Sequence, residues 1–157
     1  MPHATRPLTR FVASCILCVT MAMATPYERD DVRRVLRLHA SPANTVNDLL
    51  EAMNRQAAEG MWAYSTVIDA RAPGLVPASH DELWSLANHA KTLALVHGRR
   101  GRVAVVVADA LLTAVARMYA VLTNDTRLSV AVFTDPEEAE RWALRPGIGD
   151  DSESPTP

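Results

Sequence analysis

The feature that most constrains the fold is an unbroken apolar run at residues 102–108 (RVAVVVA). A strand that alternates polar and apolar residues keeps one face in water, whereas a continuous apolar strand is buried on both faces. Such strands are typical of parallel sheets that are covered by helices on both sides. The run therefore predicts a central parallel strand and, with it, an α/β protein.

Strand and helix patterns alternate along the rest of the chain. The other predicted strands are residues 32–40, 62–69 and 128–133. Each strand is followed by helical spacing of apolar residues, and each helix begins at a good N-cap. The predicted N-caps are Thr45, Ser79, Asp109 and Asp135. The order β-α-β-α-β-α-β-α predicts a single α/β domain, a mostly parallel sheet with helices packed on it.

The same patterns predict which residues form the core. Ser79 and Glu82 have the spacing of a capping box. The helix behind them should bury Leu83, Leu86, Ala87, Ala90, Leu93 and Ala94. In the helix after Asp109 we expect a buried stripe of Leu111, Leu112, Val115, Met118, Tyr119 and Leu122. Trp62, Trp84 and Trp142 are also placed in the core. The first strand, residues 32–40, carries several arginines and is expected near a sheet edge.

The two ends of the chain differ from the domain at residues 27–145. Residues 1–26 form an N-terminal extension with an apolar stretch, residues 11–24, too short to span a bilayer as a helix. Ala22, Met23 and Ala24 match a signal-peptidase site, so one alternative is export with cleavage after Ala24. We favour a start at Met21 or Met23 and a cytoplasmic protein without stable membrane insertion. Residues 146–157 predict a disordered acidic tail.

Composition excludes several classes of protein. The net charge of −2 gives no electrostatic basis for nucleic-acid binding. The two cysteines, Cys15 and Cys18, lie in the N-terminal extension, so the domain has no disulfide framework and no thiolate metal site. No glycine-rich dinucleotide motif, P-loop or nucleophile elbow occurs, and we expect no cofactor. Fifteen arginines against one lysine are typical of a GC-rich bacterial genome.

Three aspartates follow predicted strands and so fall at the carboxyl edge of the sheet, where ligands bind in open parallel sheets. Asp69, Asp109 and Asp135, with Arg71 on the same rim, form a candidate ligand rim. Three carboxylates at one edge can hold a divalent cation or carry a phosphoryl group. The phosphoryl role also requires a lysine there, whereas Lys91 falls in the middle of a helix. We favour the structural interpretation, in which Asp109 and Asp135 cap helices and Asp69 ends a strand.

A basic turn follows the second helix. His97, Arg99, Arg100 and Arg102 occupy it, at the sheet end opposite the usual ligand site. Cations at a helix C-terminus complement the helix dipole. The turn is suited to an anionic partner, but we favour a solvated loop.

The order of the segments resembles the SpoIIAA-like family, the STAS/SEC14-type domains of bacteria, over residues 32–144. The resemblance rests on the charged first strand and helix (residues 32–59) and on WAYSTVIDAR, RVAVVVADALLTAVARMYAVL and VAVFTDPEEAERWAL. It implies a parallel α/β domain without established catalysis. It also implies a relationship to anti-anti-sigma regulators and to folds that bind hydrophobic ligands.

The resemblance also singles out Ser79. In the anti-anti-sigma branch a phosphorylatable serine lies in a D-S-S-G-like turn at a helix start. The matching turn here is Pro77, Ala78, Ser79 and His80, which lacks the acid, the second serine and the glycine. Ser79 is the one serine in this turn, so the resemblance makes it the candidate regulatory phosphoacceptor.

Three functions follow from these observations. We favour a non-catalytic regulatory or interaction module that binds a protein partner, with a homodimer as a further option. The alternative is a carrier of a small hydrophobic ligand or lipid, held between the sheet and the helices. The third is an enzyme that uses the carboxylate edge.

Overall fold

The computed structural model describes residues 25–125 and 127–146. The elements in these ranges are β1 (Tyr27–Asp30), β2 (Val35–His39), α1 (Val46–Ala58), β3 (Ser65–Ala70), α2 (His80–His97), β4 (Val103–Val107), α3 (Ala110–Leu122), β5 (Val130–Phe133) and α4 (Pro136–Ala143). Among them, no helix combines the length and the apolar character needed to cross a bilayer. The predictions for the signal-like segment and for the acidic tail beyond residue 146 lie outside the described residues.

The strands form one sheet in the order β1-β2-β3-β4-β5. β1 and β2 are an antiparallel hairpin in which Tyr27 pairs with Leu38. The other neighbouring strands pair in parallel, as where Val106 of β4 pairs with Phe133 of β5. The predicted single α/β domain with a mostly parallel sheet is therefore confirmed.

The predicted order omitted β1, which forms the edge of the sheet beside β2. The sequence of β1 is YERD. Its three charged residues leave no apolar pattern that would predict a strand, although an edge strand tolerates charge. Residues 31–34 form the hairpin turn, in which Arg34 has a φ of 54°. β2, expected near the edge, lies between β1 and β3, with Val35 and Leu36 fully buried. The observed order is β-β-α-β-α-β-α-β-α.

Helices cover both faces of the sheet. On one face, Ala52 of α1 packs with Leu36 and Leu38, and Ala116 of α3 packs with the valines at 103, 105 and 107. On the other face, α4 packs on β3, β4 and β5 through Ala139 and Ala143. All five residues of β4 are buried, which confirms the prediction from the apolar run.

α2 packs against both α1 and α3 and so lies between them on the outer side of the molecule. Its buried positions include Leu83, Leu86, Ala87, Ala90 and Ala94, as predicted. The prediction for α3 is partly wrong, because Leu111 is 60% exposed and Met118 is 44% exposed. Trp84 is also too exposed to belong to the core. α3 carries a single charge, Arg117, so its sequence does not show which side faces the core.

Candidate functional site

The carboxyl edge of the sheet is dominated by an ion pair between Asp69, near the end of β3, and Arg71. Arg71 Nε donates to Asp69 Oδ1 at 2.9 Å, and Nη2 donates to Oδ2 at 2.6 Å. The Arg71 backbone N–H also donates to Oδ1, at 3.1 Å. These hydrogen bonds hold the pKa of Asp69 below its usual value. Because Arg71 donates hydrogen bonds to both oxygens of the Asp69 carboxylate, this carboxylate has little capacity left to bind a metal ion.

His39, the last residue of β2, lies beside this pair. Its Nδ1 is 4.0 Å from Asp69 Oδ2, and its Nε2 is 3.9 Å from Glu28 Oε1. Both separations exceed the length of a hydrogen bond. A histidine that acts as a catalytic base is usually oriented by a hydrogen bond to a carboxylate. Asp69 is hydrogen-bonded to Arg71 instead, so it does not orient His39 in this way.

The other two aspartates of the predicted rim cap helices. Asp109 Oδ1 accepts from the backbone N–H groups of Leu111 and Leu112, at 2.8 and 3.1 Å. Asp135 Oδ1 accepts from the N–H of Glu137 at 2.9 Å. The structural interpretation of Asp109 and Asp135 is therefore confirmed. Each carboxylate satisfies N–H groups that a helix start otherwise leaves without a partner.

The rim residues interact as charges but do not converge on a common point. The pKa of Arg71 is raised, chiefly by its hydrogen bonds with Asp69 and to a smaller extent by the charge of Asp135. Over residues 25–125 and 127–146, no three or more histidine, cysteine, aspartate or glutamate side chains are grouped so that they can hold a metal ion. The edge thus contains one ion pair, Asp69–Arg71, and two carboxylates that cap helices, Asp109 and Asp135.

Ser79 caps α2 in the predicted capping box. The Glu82 backbone N–H donates to Ser79 Oγ at 3.3 Å, and the Ser79 N–H donates to Glu82 Oε2 at 2.7 Å. The Ser79 hydroxyl also donates to that carboxylate, at 2.7 Å. These bonds lower the pKa of Glu82. The exposed serine therefore has a defined structural role, and its role as a phosphoacceptor stays a prediction.

The start of α1 also has a capping box, formed by Thr45 and Asp48. The two helix starts border a cavity of about 290 Å³. Its lining combines the apolar Val46 and Leu50 with polar and acidic side chains, among them Asp81 and Glu82 on the α2 side. Both helix starts are closed by capping boxes, in which a hydroxyl accepts from the helix N–H and a carboxylate accepts from the N-cap N–H. With Asp81 and Glu82 in its lining, this cavity does not favour an anion.

The solvated loop that we favoured after α2 is only partly right, because His97 and Arg99 are exposed whereas Arg100 is buried and Arg102 is partly buried. Arg100 is only 7% exposed, and its side chain enters the space between the helices. Its Nη2 donates to Gln56 Oε1 at 3.1 Å, and its Nη1 donates to the Met53 sulfur at 3.4 Å. Arg102 Nη1 donates to the Trp142 backbone oxygen at 2.9 Å. The arginines at 100 and 102 therefore serve the fold, because packing draws them away from solvent.

The buried Arg100 and the partly buried Tyr119 form a polar pair inside this layer. Burial lowers the pKa of the Arg100 guanidinium and raises the pKa of the Tyr119 hydroxyl. The attraction between the two groups opposes both shifts. Nothing in the local sequence marks Arg100 as the buried member of a run of arginines, so the sequence gives no signal for this pair.

The surface that sequence reasoning missed is the outer face of α2 and α3. Nine large apolar side chains are substantially exposed in the described part of the chain, and six of them lie on these two helices. On α2 they are Trp84, Leu95 and Val96, and on α3 they are Leu111, Met118 and Val121. Leu95 is 73% exposed and Val121 is 75% exposed. Concentrated exposed apolar surface of this kind marks interaction sites in folded proteins.

A second cavity, of about 430 Å³, opens beside Leu95 between α2 and the loop that follows α3. Its lining residues are Lys91, Ala94, Leu95, Asp125 and Arg127. Ala94 and Leu95 supply an apolar wall, while Lys91 and Arg127 bring two positive charges and Asp125 one negative charge. The volume lies in the range of sites that accept a small molecule or a few side chains.

Comparison with known proteins finds no matching family model, no matching curated protein and no matching solved structure. The functional argument therefore depends on the residues and geometry described above.

Proposed function

We propose that this protein is a non-catalytic interaction module of the SpoIIAA-like type, which binds a protein partner through the outer surface of α2. The observation that carries the proposal is the exposure of Leu95 and Val96 beside a cavity rimmed by charge. Large exposed apolar side chains are costly in water unless a partner covers them. The resemblance to a family of intracellular regulators supports a cytoplasmic location and a regulatory role.

The chemistry of this surface defines the kind of partner. Binding interfaces combine an apolar centre with a polar, charged rim. Here Leu95 and Ala94 form the apolar part, and the charges of Lys91 and Arg127 exceed that of Asp125, so the cavity lining is net positive. The complementary partner is a protein segment that carries a large apolar side chain next to aspartate or glutamate.

The state of the carboxyl edge supports binding over catalysis. Asp69 is held by Arg71, and Asp109 and Asp135 satisfy backbone N–H groups of the chain itself. Using any of these carboxylates on a substrate or an ion first requires breaking an internal interaction. The apolar surface of α2 requires no such rearrangement.

Affinity capture from a lysate of the native host tests the proposal with a matched pair of variants. Leu95→Asp places a charge in the proposed interface, and Val32→Asp places the same charge at a site that is 96% exposed in the hairpin turn. Both positions are exposed, so both variants should keep the wild-type melting temperature. We expect one protein to be captured by the wild type and by Val32→Asp but lost with Leu95→Asp.

A charge reversal then tests the chemistry of the partner. Lys91→Glu should weaken capture of the same protein, and a matching change of an acidic residue to lysine in that protein should restore it. Equal capture by Leu95→Asp and Val32→Asp, or no effect of Lys91→Glu, would remove α2 as the binding surface.

A further inference from the structure

Two cations line the cavity of about 430 Å³ beside Leu95 without pairing to a carboxylate. Lys91, the one lysine of the chain, is partly buried on the α2 side. Arg127 lines the side formed by the loop after α3. Within residues 25–125 and 127–146, neither of these two side chains forms an ion pair with an aspartate or a glutamate. Both positive charges therefore remain available to a ligand.

The carboxylate in this lining is already engaged. Asp125 Oδ1 accepts from the Arg127 backbone N–H at 3.0 Å, and the Asp125 backbone oxygen accepts from the Leu128 N–H at 3.2 Å. With two positive charges and one negative charge, the lining carries a net charge of one positive unit. A ligand with a single negative charge balances this lining, whereas a dianion leaves negative charge in excess.

The α2 side of the cavity places apolar surface next to this positive charge. Lys91, Ala94 and Leu95 are spaced by three and four residues, so they lie on the same side of the helix. Ala94 is 2% exposed and forms the inner wall, whereas Leu95 is 73% exposed and forms the rim. The cavity therefore complements a molecule that carries an apolar body next to one anionic group.

Both walls of the cavity are fixed by the core. Ala94 on the α2 side and Leu128, next to Arg127, belong to the same buried cluster. The Arg127 backbone oxygen also accepts from the Arg100 N–H at 3.0 Å. Because these contacts hold the two sides together without a ligand, little ordering is needed on binding, and preorganisation of this kind favours affinity.

We propose that this cavity binds a small amphiphilic monocarboxylate. Its carboxylate lies between the Lys91 ammonium and the Arg127 guanidinium, which is suited to donating two parallel hydrogen bonds to a carboxylate. Its apolar body covers Ala94 and Leu95. The volume is near the lower end of the range for small-molecule sites, so the body is a short acyl chain or a small ring system.

This ligand has the same chemistry as the partner segment proposed above, an apolar group next to a carboxylate. A free amphiphilic carboxylate and the partner would therefore occupy the same cavity, and the small molecule would release the partner. This regulatory consequence rests on the proposed function. The binding of the carboxylate itself does not, because Lys91, Leu95 and Arg127 act on it without the partner.

Nuclear magnetic resonance titration of the full chain with decanoate tests the site directly. We expect the largest shifts at the backbone amides of residues 91–95 and of Asp125 and Arg127. Decanol has the same apolar body without the charge, and acetate has the carboxylate without the body. Each should bind at least about tenfold more weakly than decanoate, because each lacks one of the two interactions. Decyl phosphate should bind no more tightly than decanoate.

Charge-removing variants test the roles of the two cations. Lys91→Met and Arg127→Gln should each raise the decanoate dissociation constant about fivefold. Arg141→Gln is the matched control for Arg127→Gln, because Arg141 is also exposed but lies on α4, on the opposite face of the sheet. It should leave the constant unchanged. All three variants should keep the wild-type melting temperature.

Four results would overturn the proposal. They are largest shifts away from residues 91–95 and 125–127, decanol that binds as tightly as decanoate, decyl phosphate that binds more tightly, and equal decanoate affinity of Arg127→Gln and Arg141→Gln. The titration contains no partner protein, so failure of the lysate capture would leave its result unaffected. Capture that depends on Leu95 without any decanoate binding would support the partner surface and overturn the small-molecule site.

Discussion

The guanidinium carbon of Arg100 lies 4.7 Å from the centroid of the Trp62 ring, with both side chains buried. The other groups around this cation are the neutral side chains of Gln56, Met53 and Tyr119. In the described ranges no carboxylate lies within ion-pair distance of Arg100, and its Nε has no hydrogen-bond partner. The charge is therefore held by packing, by the ring and by hydrogen bonds to neutral groups, which only partly offset its desolvation.

This arrangement predicts that the volume of Arg100 matters more than its charge. Arg100→Ala leaves a cavity between the helices and should lower the free energy of unfolding by about 3 kcal/mol. Arg100→Met fills much of that space without the cost of a buried charge, and it should lose less than about 1.5 kcal/mol. Urea unfolding of both variants measures the difference. Equal losses would show that the charge itself holds the layer together.

The Asp69–Arg71 pair predicts a dependence of stability on pH. The pKa of Asp69 is lowered in the folded state, chiefly by its hydrogen bonds with Arg71, from an ordinary value of 3.8. A lowered carboxyl pKa stabilises the folded state above the unfolded pKa, and the contribution is lost as the pH falls through the folded pKa. Asp69→Asn should therefore be less stable than the wild type at neutral pH, and the two should converge at acid pH. Urea midpoints measured from about pH 7 to about pH 2 test this, and a gap that stays constant would contradict it.

The two capping boxes predict paired effects at the starts of α1 and α2. Ser79→Ala and Thr45→Ala should each lower the free energy of unfolding by about 0.5–2 kcal/mol, because a helix N–H loses its acceptor. Ser79→Asp should be tolerated, since aspartate caps as well as serine and suits the positive end of the helix. Thermal melting of the three variants provides the measurement.

The same serine variants separate a structural role from a regulatory one. We expect Ser79→Ala and Ser79→Asp to capture the same partner, because their difference is confined to stability. A folded Ser79→Asp variant that loses a partner retained by Ser79→Ala would instead identify Ser79 as a phosphorylation switch.

Gly101 predicts a severe packing effect. A Cβ atom at this position would lie 2.2 Å from the Tyr64 backbone oxygen, so Gly101→Ala requires the segments that precede β3 and β4 to move apart. We expect a loss of more than about 3 kcal/mol. Gly60→Ala is the control, because Gly60 has open space around its Cβ position and a φ of 74°. Gly60→Ala should lower the free energy of unfolding by only about 1–2 kcal/mol, which is what a side chain costs at a positive φ. Similar losses of stability for Gly60→Ala and Gly101→Ala would contradict this account.

The sequence predicts the parts of this fold that depend on local chemistry. The apolar run of β4 and the N-caps Ser79, Asp109 and Asp135 are visible because each one leaves a pattern in neighbouring residues. The caps at Asp109 and Asp135, together with the Asp69–Arg71 pair, also explain why these three aspartates form no joint site in the described residues. Strand β1 escaped prediction because its charged sequence becomes a strand only through pairing with β2.

The candidate binding surface depends on tertiary contacts, and these leave no local pattern. α3 is apolar on nearly every side, so only its packing on β4, β5 and α2 determines that Leu111 and Met118 face solvent. The sequence likewise does not distinguish Arg100 from its neighbour Arg99. Only the packing of the helices buries Arg100 and leaves Arg99 exposed.

The central claim is that α2 binds a protein partner at Leu95, and site-specific photocrosslinking in the native host tests it most directly. A photoreactive amino acid replaces Leu95 in one protein and Val32 in the control, since both side chains are exposed. We expect a single partner to be crosslinked from position 95 and not from position 32. The crosslinked peptide should contain a large apolar residue next to aspartate or glutamate. No adduct at position 95, or the same adduct from both positions, would contradict the account.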